Sequence, residues 1–487
     1  MAAPDADFRY TVPKSSIIGP QNTVMRRTRL ALIAGVVLLA LPALAQSLPP
    51  ASSLRPEMRP EPRQAEAVRT VATLVTVSSQ ASALAVPTSI RPQLRGTVAP
   101  ARPAAAATPA PPPVTDQGFA EWMRGFHTRA RAAGISQATL DRAFAGISVN
   151  ARVLERDRNQ AEFSRALWDY LDSAVSSTRV ANGRTAFAEH RTILDRIESR
   201  YGVEAEVVVA IWGLESAYGA NRGDTDIITA MASLAYDGRR REFFEEQLIA
   251  ALQILEAGDV GPRQMTGSWA GAMGHTQFMP NSYLAHAVDF DGNGRRNIWS
   301  DDPVDALAST ANYLRHHGWT TGQPGGMEVV LPDGFDFSLS GERTKRSAAF
   351  WHEQGVRLVG GGRIPDHGDA SILLPAGHRG VALVIFDNFH VIERYNPADA
   401  YVIAVGHLAD RIAGAGPFRG SWPREDRALS FAEREELQRH LTRLGFHTHN
   451  VDGIVGPETI DSVRRYQASV GWVPDGYASL RVLERLR

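Results

Sequence analysis

The spacing of apolar and polar positions predicts a chain that is helical over most of its ordered length. Residues 119–143 show the i, i+3, i+4 recurrence of amphipathic helix, split by Gly134, with Ser136 placed to cap the second half. The periodicity continues through Phe163, Leu167 and Leu171, and then over 185–201. The next helix carries Val207, Ile211, Leu214 and Tyr218 as a stripe predicted to face the core, and Glu215 borders that stripe. Residues 243–257 predict a helix stopped by Gly258. Residues 303–317 predict another, capped by Asp302 and stopped by Gly318. Strand patterns then appear at 327–331, 371–374, 381–386 and 390–393. The last two flank Asp387-Asn388-Phe389, which predicts a hairpin. Residues 398–412 return to helix, and no convincing internal repeat is present.

Composition divides the chain further. Arg26-Arg27-Thr28-Arg29, an apolar run from Leu30 to Leu41 and Ala43-Leu44-Ala45 follow the order of a secretory signal peptide, so residues 1–45 are read as a signal region. The apolar run is shorter than the roughly 20 residues that a bilayer span needs. No stable membrane span is therefore expected after cleavage, and an uncleaved anchor is the alternative. The long stretch ahead of Met25 points to Met25 as the true start. Residues 46–115, rich in Pro, Ala, Ser and Thr, cannot bury enough apolar surface to offset ordering entropy and are read as a disordered, semi-stiff linker. Residues 116–415 form the main domain in this reading. Residues 416–428, with Pro417 and Pro423, are a linker, and 429–487 a compact final module. A net charge of -1 gives no reason to expect nucleic acid as a partner. The absence of cysteine excludes disulfides, thiolate metal sites and a cysteine nucleophile, and is compatible with export.

The chemistry concentrates at Ala210-Ile211-Trp212-Gly213-Leu214-Glu215-Ser216-Ala217-Tyr218-Gly219. A carboxyl held against apolar neighbours resists ionising, so Glu215 is placed to donate a proton near neutral pH, which glycosidic cleavage requires. An ordinary glycosidase needs a second carboxylate. Glu204 and Glu206 precede Glu215 by nearly three turns, whereas Asp224 and Asp226 remain open as partners. Ser216 lacks the Gly-x-Ser-x-Gly context of a nucleophile. Asp289-Phe290-Asp291-Gly292-Asn293-Gly294 has the alternating oxygen donors of a calcium loop, but Ser300 stands where a closing glutamate is usual. The alternative is an Asx-type turn held by its own hydrogen bonds.

These segments together resemble the lytic murein transglycosylases of the membrane-bound B type, which cut the glycan strands of peptidoglycan. Ile211 to Gly219 resembles the end of the family's catalytic helix, with Glu215 as the acid. Arg239-Arg240-Arg241-Glu242-Phe243-Phe244, the segment Ser268 to Tyr283 with Gly271-Ala272-Met273-Gly274-His275-Thr276-Gln277-Phe278, and Glu393-Arg394-Tyr395-Asn396 match three further motifs in order. The resemblance implies a lysozyme-like, mainly helical α+β catalytic domain with a small β-containing subdomain. It implies substrate contacts from Arg239, Arg240, Ser268, Gln277, Tyr395 and Asn396, and no cofactor for the chemistry. It further implies a metal loop of Asp289, Asp291 and Asn293 closed by Asp305, with a structural calcium. The expected reaction leaves 1,6-anhydromuramyl ends, with Glu215 acting as acid and then base. A hydrolytic muramidase and a non-catalytic wall-binding scaffold are the rival readings. The final module, with Asp452-Gly453-Ile454-Val455-Gly456-Pro457 ahead of a helix, resembles the small three-helix peptidoglycan-binding domain. Peptidoglycan is then the expected partner and the periplasm the expected location.

Overall fold

The helix Ala205–Ser216 is buried nearly all round: Val208, Val209, Ala210, Ile211 and Trp212 are sealed from solvent, and Gly213, Glu215 and Ser216 are buried with them. A helix enclosed on every side carries no single apolar stripe. The predicted stripe is accordingly corrected, because Val207, Leu214 and Tyr218 are only half-buried. The enclosing elements are the helices Ser177–Glu189, Arg191–Tyr201, Val304–His316 and Asp399–Ile412. The structure is a computed structural model that describes residues 116–158 and 165–487, all within one compact unit. The signal region, the Pro/Ala-rich segment and Phe163 lie outside the described residues.

Several elements follow the sequence pattern closely. Gly134, at φ 92°, separates Asp116–Ala132 from Gln137–Phe144, and the Ser136 hydroxyl accepts the Thr139 N–H. Arg241–Ala257 ends at Gly258 in the left-handed conformation. Other elements differ. The helix expected over 185–201 is two helices that meet at His190, whose ring packs edge-on against Trp212 at 5.4 Å. The first starts earlier, because the Ser176 hydroxyl caps it by accepting the Arg179 N–H. Asp302 is one residue removed from the cap of Val304–His316, although its carboxylate still accepts the Val304 N–H.

The predicted hairpin over 381–393 is corrected. Ala382–Ile385 is a strand, but it pairs with Asp369–Leu373 on one side and Gly326–Val330 on the other. Asp387–Tyr395 is a helix that buries Phe389, Val391 and Ile392. Asn388, fully buried, anchors its first turn by donating to the Thr320 and Gln323 carbonyls. The resulting antiparallel five-stranded sheet, with Arg346–Ser347 and Arg357–Leu358 at its edges, has its own core around Trp351, Ile372 and Val384.

The segment after Ile412 is laid along the protein. Glu328 accepts the N–H groups of Arg419 and Gly420, Phe418 stacks on His407 at 3.9 Å, and Arg424 pairs with Asp172. Three helices follow, Phe431–Arg443, Pro457–Ser469 and Leu480–Leu486, around Leu437, Leu441, Val463 and Leu483. A Ser430/Glu433 capping box starts the first, and Pro457 opens the second.

Candidate active site

Glu215 sits one residue before the end of its helix, where the chain turns abruptly. Ala217 and Tyr218 both adopt left-handed backbone, at φ 51° and 59°, followed by Gly219 at 85°. Side chains at such φ values cost energy, and this turn is over-determined. The Ser216 hydroxyl accepts the Gly219 N–H and donates to the His275 carbonyl at 2.5 Å. The Tyr218 hydroxyl donates to the Arg179 carbonyl. Gly213 is required here, because any Cβ would occupy the place of the Tyr218 ring.

Glu215 is 7% exposed. Burial raises its carboxyl to about 7, and a hydrogen bond from Tyr401 pulls the other way. That bond, Tyr401 Oη to Glu215 Oε1, is 2.6 Å long. Tyr170 and Tyr395 also feel the carboxylate's charge; burial first and then that charge lift the phenol of Tyr170 to about 12 and that of Tyr395 well above its ordinary value. The acid therefore stands among tyrosines. Of the carboxylates considered as partners, Glu204 accepts from the Trp319 indole and the Gly322 N–H. Asp226 caps the helix Ile227–Asp237 and pairs with Arg263. Asp224 is exposed and Glu206 half-buried.

The turn carrying Gln277 is held against this helix end. Gln277 has φ 56°, and its Nε2 donates to the Arg222 and Gly274 carbonyls at 3.0 and 2.8 Å. Its Oε1 is buried without a partner among the described residues. His275 accepts the Trp212 indole N–H at Nδ1, and its Nε2 lies 2.7 Å from the Ser300 carbonyl. Tyr395 donates to the Thr276 carbonyl at 2.5 Å, which ties the third motif to the fourth. Ser268 shapes its own turn, with its Oγ accepting the Ala272 N–H. Asn396 ends the helix Asp387–Tyr395 and accepts the Ala398 N–H.

Arg239 and Arg240 are engaged in ion pairs with the protein. Arg239 binds Asp157 and Asp237, and Arg240 binds Asp157 at 2.9 Å. Arg158 also pairs with Asp237, so among the described residues Arg158, Arg239 and Arg240 converge on the buried carboxylates of Asp157 and Asp237. In the acidic loop, ligand oxygens of Asp289, Asp291 and Asp305 lie within 4.8 Å of one another. Asp305 is buried and accepts the Phe290 and Asn297 N–H groups, and burial raises its carboxyl. Asn293 donates to Asp291 and accepts the Arg295 N–H. Hard oxygen donors converging in this way fit calcium.

Sequence reasoning missed Tyr401, Tyr170 and His275. Tyr401 had a weak signal, a tyrosine in an apolar helix shortly after Asn396. His275 lay inside the quoted third motif but was given no role, and Tyr170 had no signal that distinguishes it from core residues.

The transglycosylase SLT domain family model matches residues 118–410, and the peptidoglycan-binding domain model matches residues 432–486. The chain is 35% identical over 256 residues to the membrane-bound lytic murein transglycosylase B of Escherichia coli, spanning 50% of this chain and 66% of that protein. It is 49% identical to SltB3 of Pseudomonas aeruginosa, solved in complex with NAG-anhNAM-pentapeptide. The TM-score is 0.74, over 76% of this chain and 100% of that one. Slt35 of Escherichia coli, solved with calcium, is 31% identical with a TM-score of 0.52, over 61% of this chain and 92% of the other. The mainly helical, lysozyme-like architecture with its small sheet region and helical C-terminal module agrees with these relatives. With its catalytic-region motifs and fold both accounted for, the chain belongs to the SLT-domain lytic transglycosylase family.

Proposed function

We propose that the protein cleaves the β-1,4 bond between N-acetylmuramic acid and N-acetylglucosamine in peptidoglycan and leaves 1,6-anhydromuramyl ends. Glu215, protonated, gives its proton to the glycosidic oxygen as the bond to C1 breaks. The positive charge at C1 is carried as an oxocarbenium-like species or captured by the substrate's own acetamido oxygen. Glu215, now a carboxylate, takes the proton of the muramyl C6 hydroxyl as that oxygen bonds to C1, so no water is consumed. The observation that carries this reading is one buried carboxyl held near neutrality among tyrosines. The hydrolytic alternative needs a second carboxylate at a defined separation, and the nearby candidates Glu204 and Asp226 are held by partners of their own among the described residues.

In this reading Gln277, whose Oε1 has no partner among the described residues, and Ser268, Tyr395 and Asn396 supply the substrate contacts. Arg239 and Arg240, positioned by Asp157 and Asp237, are the residues proposed to meet the lactyl or stem carboxylate. Calcium held by Asp289, Asp291 and Asp305, with Asn293 beside them, would brace the loop that leads into Val304–His316; it supplies structure and no step of the chemistry. The C-terminal module holds the enzyme on its insoluble polymer, raising local substrate concentration. The protein is exported to the periplasm and acts at the wall. Among the described residues no helix is long and apolar enough to cross a membrane. The boundaries proposed for the catalytic domain and the module are 116–415 and 429–487.

Mass spectrometry of purified peptidoglycan digested with wild type and Glu215→Gln tests the proposal. Anhydromuramyl products from wild type alone are expected. Hydrated reducing ends would instead identify a hydrolase, and inert wild type that still binds the wall would identify a scaffold.

A further inference from the structure

The C-terminal module is docked on the catalytic region, and the seam encloses a cavity of about 230 Å³. Asp475 makes the joint. Its Oδ2 accepts the His378 backbone N–H at 2.9 Å and faces His378 Nδ1 at 2.6 Å. Its Oδ1 accepts from Gln467 Nε2 and the Tyr477 N–H. Gly377, at φ 66°, permits this approach, because a Cβ there would strike the Asp475 carboxylate and Tyr477. Arg464, on the module, reaches across to the carbonyl and hydroxyl of Ser340.

With Asp475 saturated by the protein, the polar groups left facing the cavity are mostly donors, with the Asp426 carboxyl beside them. The Arg481 guanidinium lies 4.5 Å over the Trp472 ring and has no hydrogen-bond or ion-pair partner among the described residues. The Tyr477 hydroxyl and the Trp472 indole N–H are also without partners there, and both residues line the cavity. Burial lifts the Tyr477 phenol to about 12, which keeps it a donor at neutral pH. Asp426, the other acid in the wall, accepts the Leu480 N–H, and burial raises its carboxyl. A planar guanidinium fork beside an indole face and two neutral donors suits a carboxylate attached to a sugar or peptide.

We propose that this seam cavity is a second binding site, which takes a carboxylate carried on peptidoglycan. The carboxylate pairs with Arg481, and the adjoining sugar or peptide lies against Trp472 and Tyr477. The lactyl group of muramic acid and the stem peptide both present this chemistry. The proposal rests on the reading that peptidoglycan is the substrate. Because both halves of the protein close the cavity, an occupant favours the docked arrangement over an undocked one.

The test is calorimetric binding to the full-length chain of three fragments with no glycosidic bond to cleave. They are N-acetylmuramic acid, its stem-peptide conjugate with the lactyl carboxylate consumed, and neutral N-acetylglucosamine. One or both anionic fragments should bind and the neutral sugar should not; which anionic fragment binds identifies the source of the carboxylate. Arg481→Gln should weaken that binding roughly tenfold or more, the loss of a charge-assisted hydrogen bond. Arg443→Gln, at an exposed arginine of the same module, should not. Arg481→Gln that leaves both the affinity and the stoichiometry of anionic-fragment binding at the wild-type values, in a protein with unchanged thermal unfolding, overturns the site. Failure of both anionic fragments to bind a protein that still cleaves peptidoglycan also overturns it, and leaves the enzymatic reading standing. Arg481-dependent binding in a protein that cannot cleave peptidoglycan supports the site and overturns the enzymatic reading.

Discussion

Tyr401 Oη donates to Glu215 Oε1 at 2.6 Å, joining two residues 186 positions apart. The bond opposes burial, because it favours the charged carboxylate. Tyr401→Phe removes that support and keeps the apolar ring. The Glu215 carboxyl should then titrate roughly one to two units higher, and the alkaline limb of kcat/KM should move up with it. The plateau rate should fall about tenfold as the carboxyl loses its fixed orientation. A pH–rate profile of the variant reads both effects, and an unmoved limb would assign Tyr401 to packing alone.

Glu215 also makes stability depend on pH. Its folded value, about 7, lies above its ordinary 4.5, so between these values the native state binds more protons than the unfolded chain. Stability from this group is complete below about pH 4.5 and is lost as pH rises through 7. The loss amounts to something on the order of 3 kcal/mol. Glu215→Gln cannot ionise and should escape the decline. The variant's melting temperature relative to wild type should therefore rise from pH 5 to pH 8, while activity falls by about 10²–10⁴. Thermal melts across that range check the sign.

The acidic loop predicts a calcium response. Saturating calcium should stabilise the wild type by about 2.7 kcal/mol at a hundredfold excess over Kd and so raise its melting temperature, and a chelator should reverse it. In Asp305→Asn the calcium-dependent shift should vanish. The variant should also start lower, because an amide nitrogen faces either the Phe290 or the Asn297 N–H that the carboxylate accepts. Differential scanning calorimetry with and without calcium separates the two effects.

Docking of the module depends on Gly377. Valine there meets both a positive φ and the Asp475 carboxylate. Gly377→Val should break the seam while leaving the module's core around Leu437 and Val463 intact. Limited proteolysis within residues 414–428 should become at least several-fold faster, with a melt of the remaining helices still cooperative. A cleavage rate equal to wild type would show that the connecting segment 414–428 itself holds the module.

Much of the helical framework was legible because caps and stops are local. Ser136, Gly134, Gly258 and Pro457 act on backbone groups within a few residues, so their positions mark helix ends directly. The hairpin over 381–393 was misread for the converse reason. His390-Val391-Ile392 has strand-like composition, but the neighbours of Ala382–Ile385 come from 326–330 and 369–373, and the freed segment folds as a helix over the core.

The sequence by itself marked Glu215 as the proposed acid and determined the order of the motifs and the division into SLT domain and C-terminal module, since each rests on contiguous residues. Only the tertiary structure decided what surrounds them. It placed Tyr401 and Tyr170 beside Glu215, turned Arg239 and Arg240 toward Asp157, and laid 416–428 against the body with the module docked through Asp475. These relationships depend on burial and on pairings between distant segments. Whether a carboxyl is neutral or a guanidinium free is set by the atoms packed against it, which no local pattern specifies.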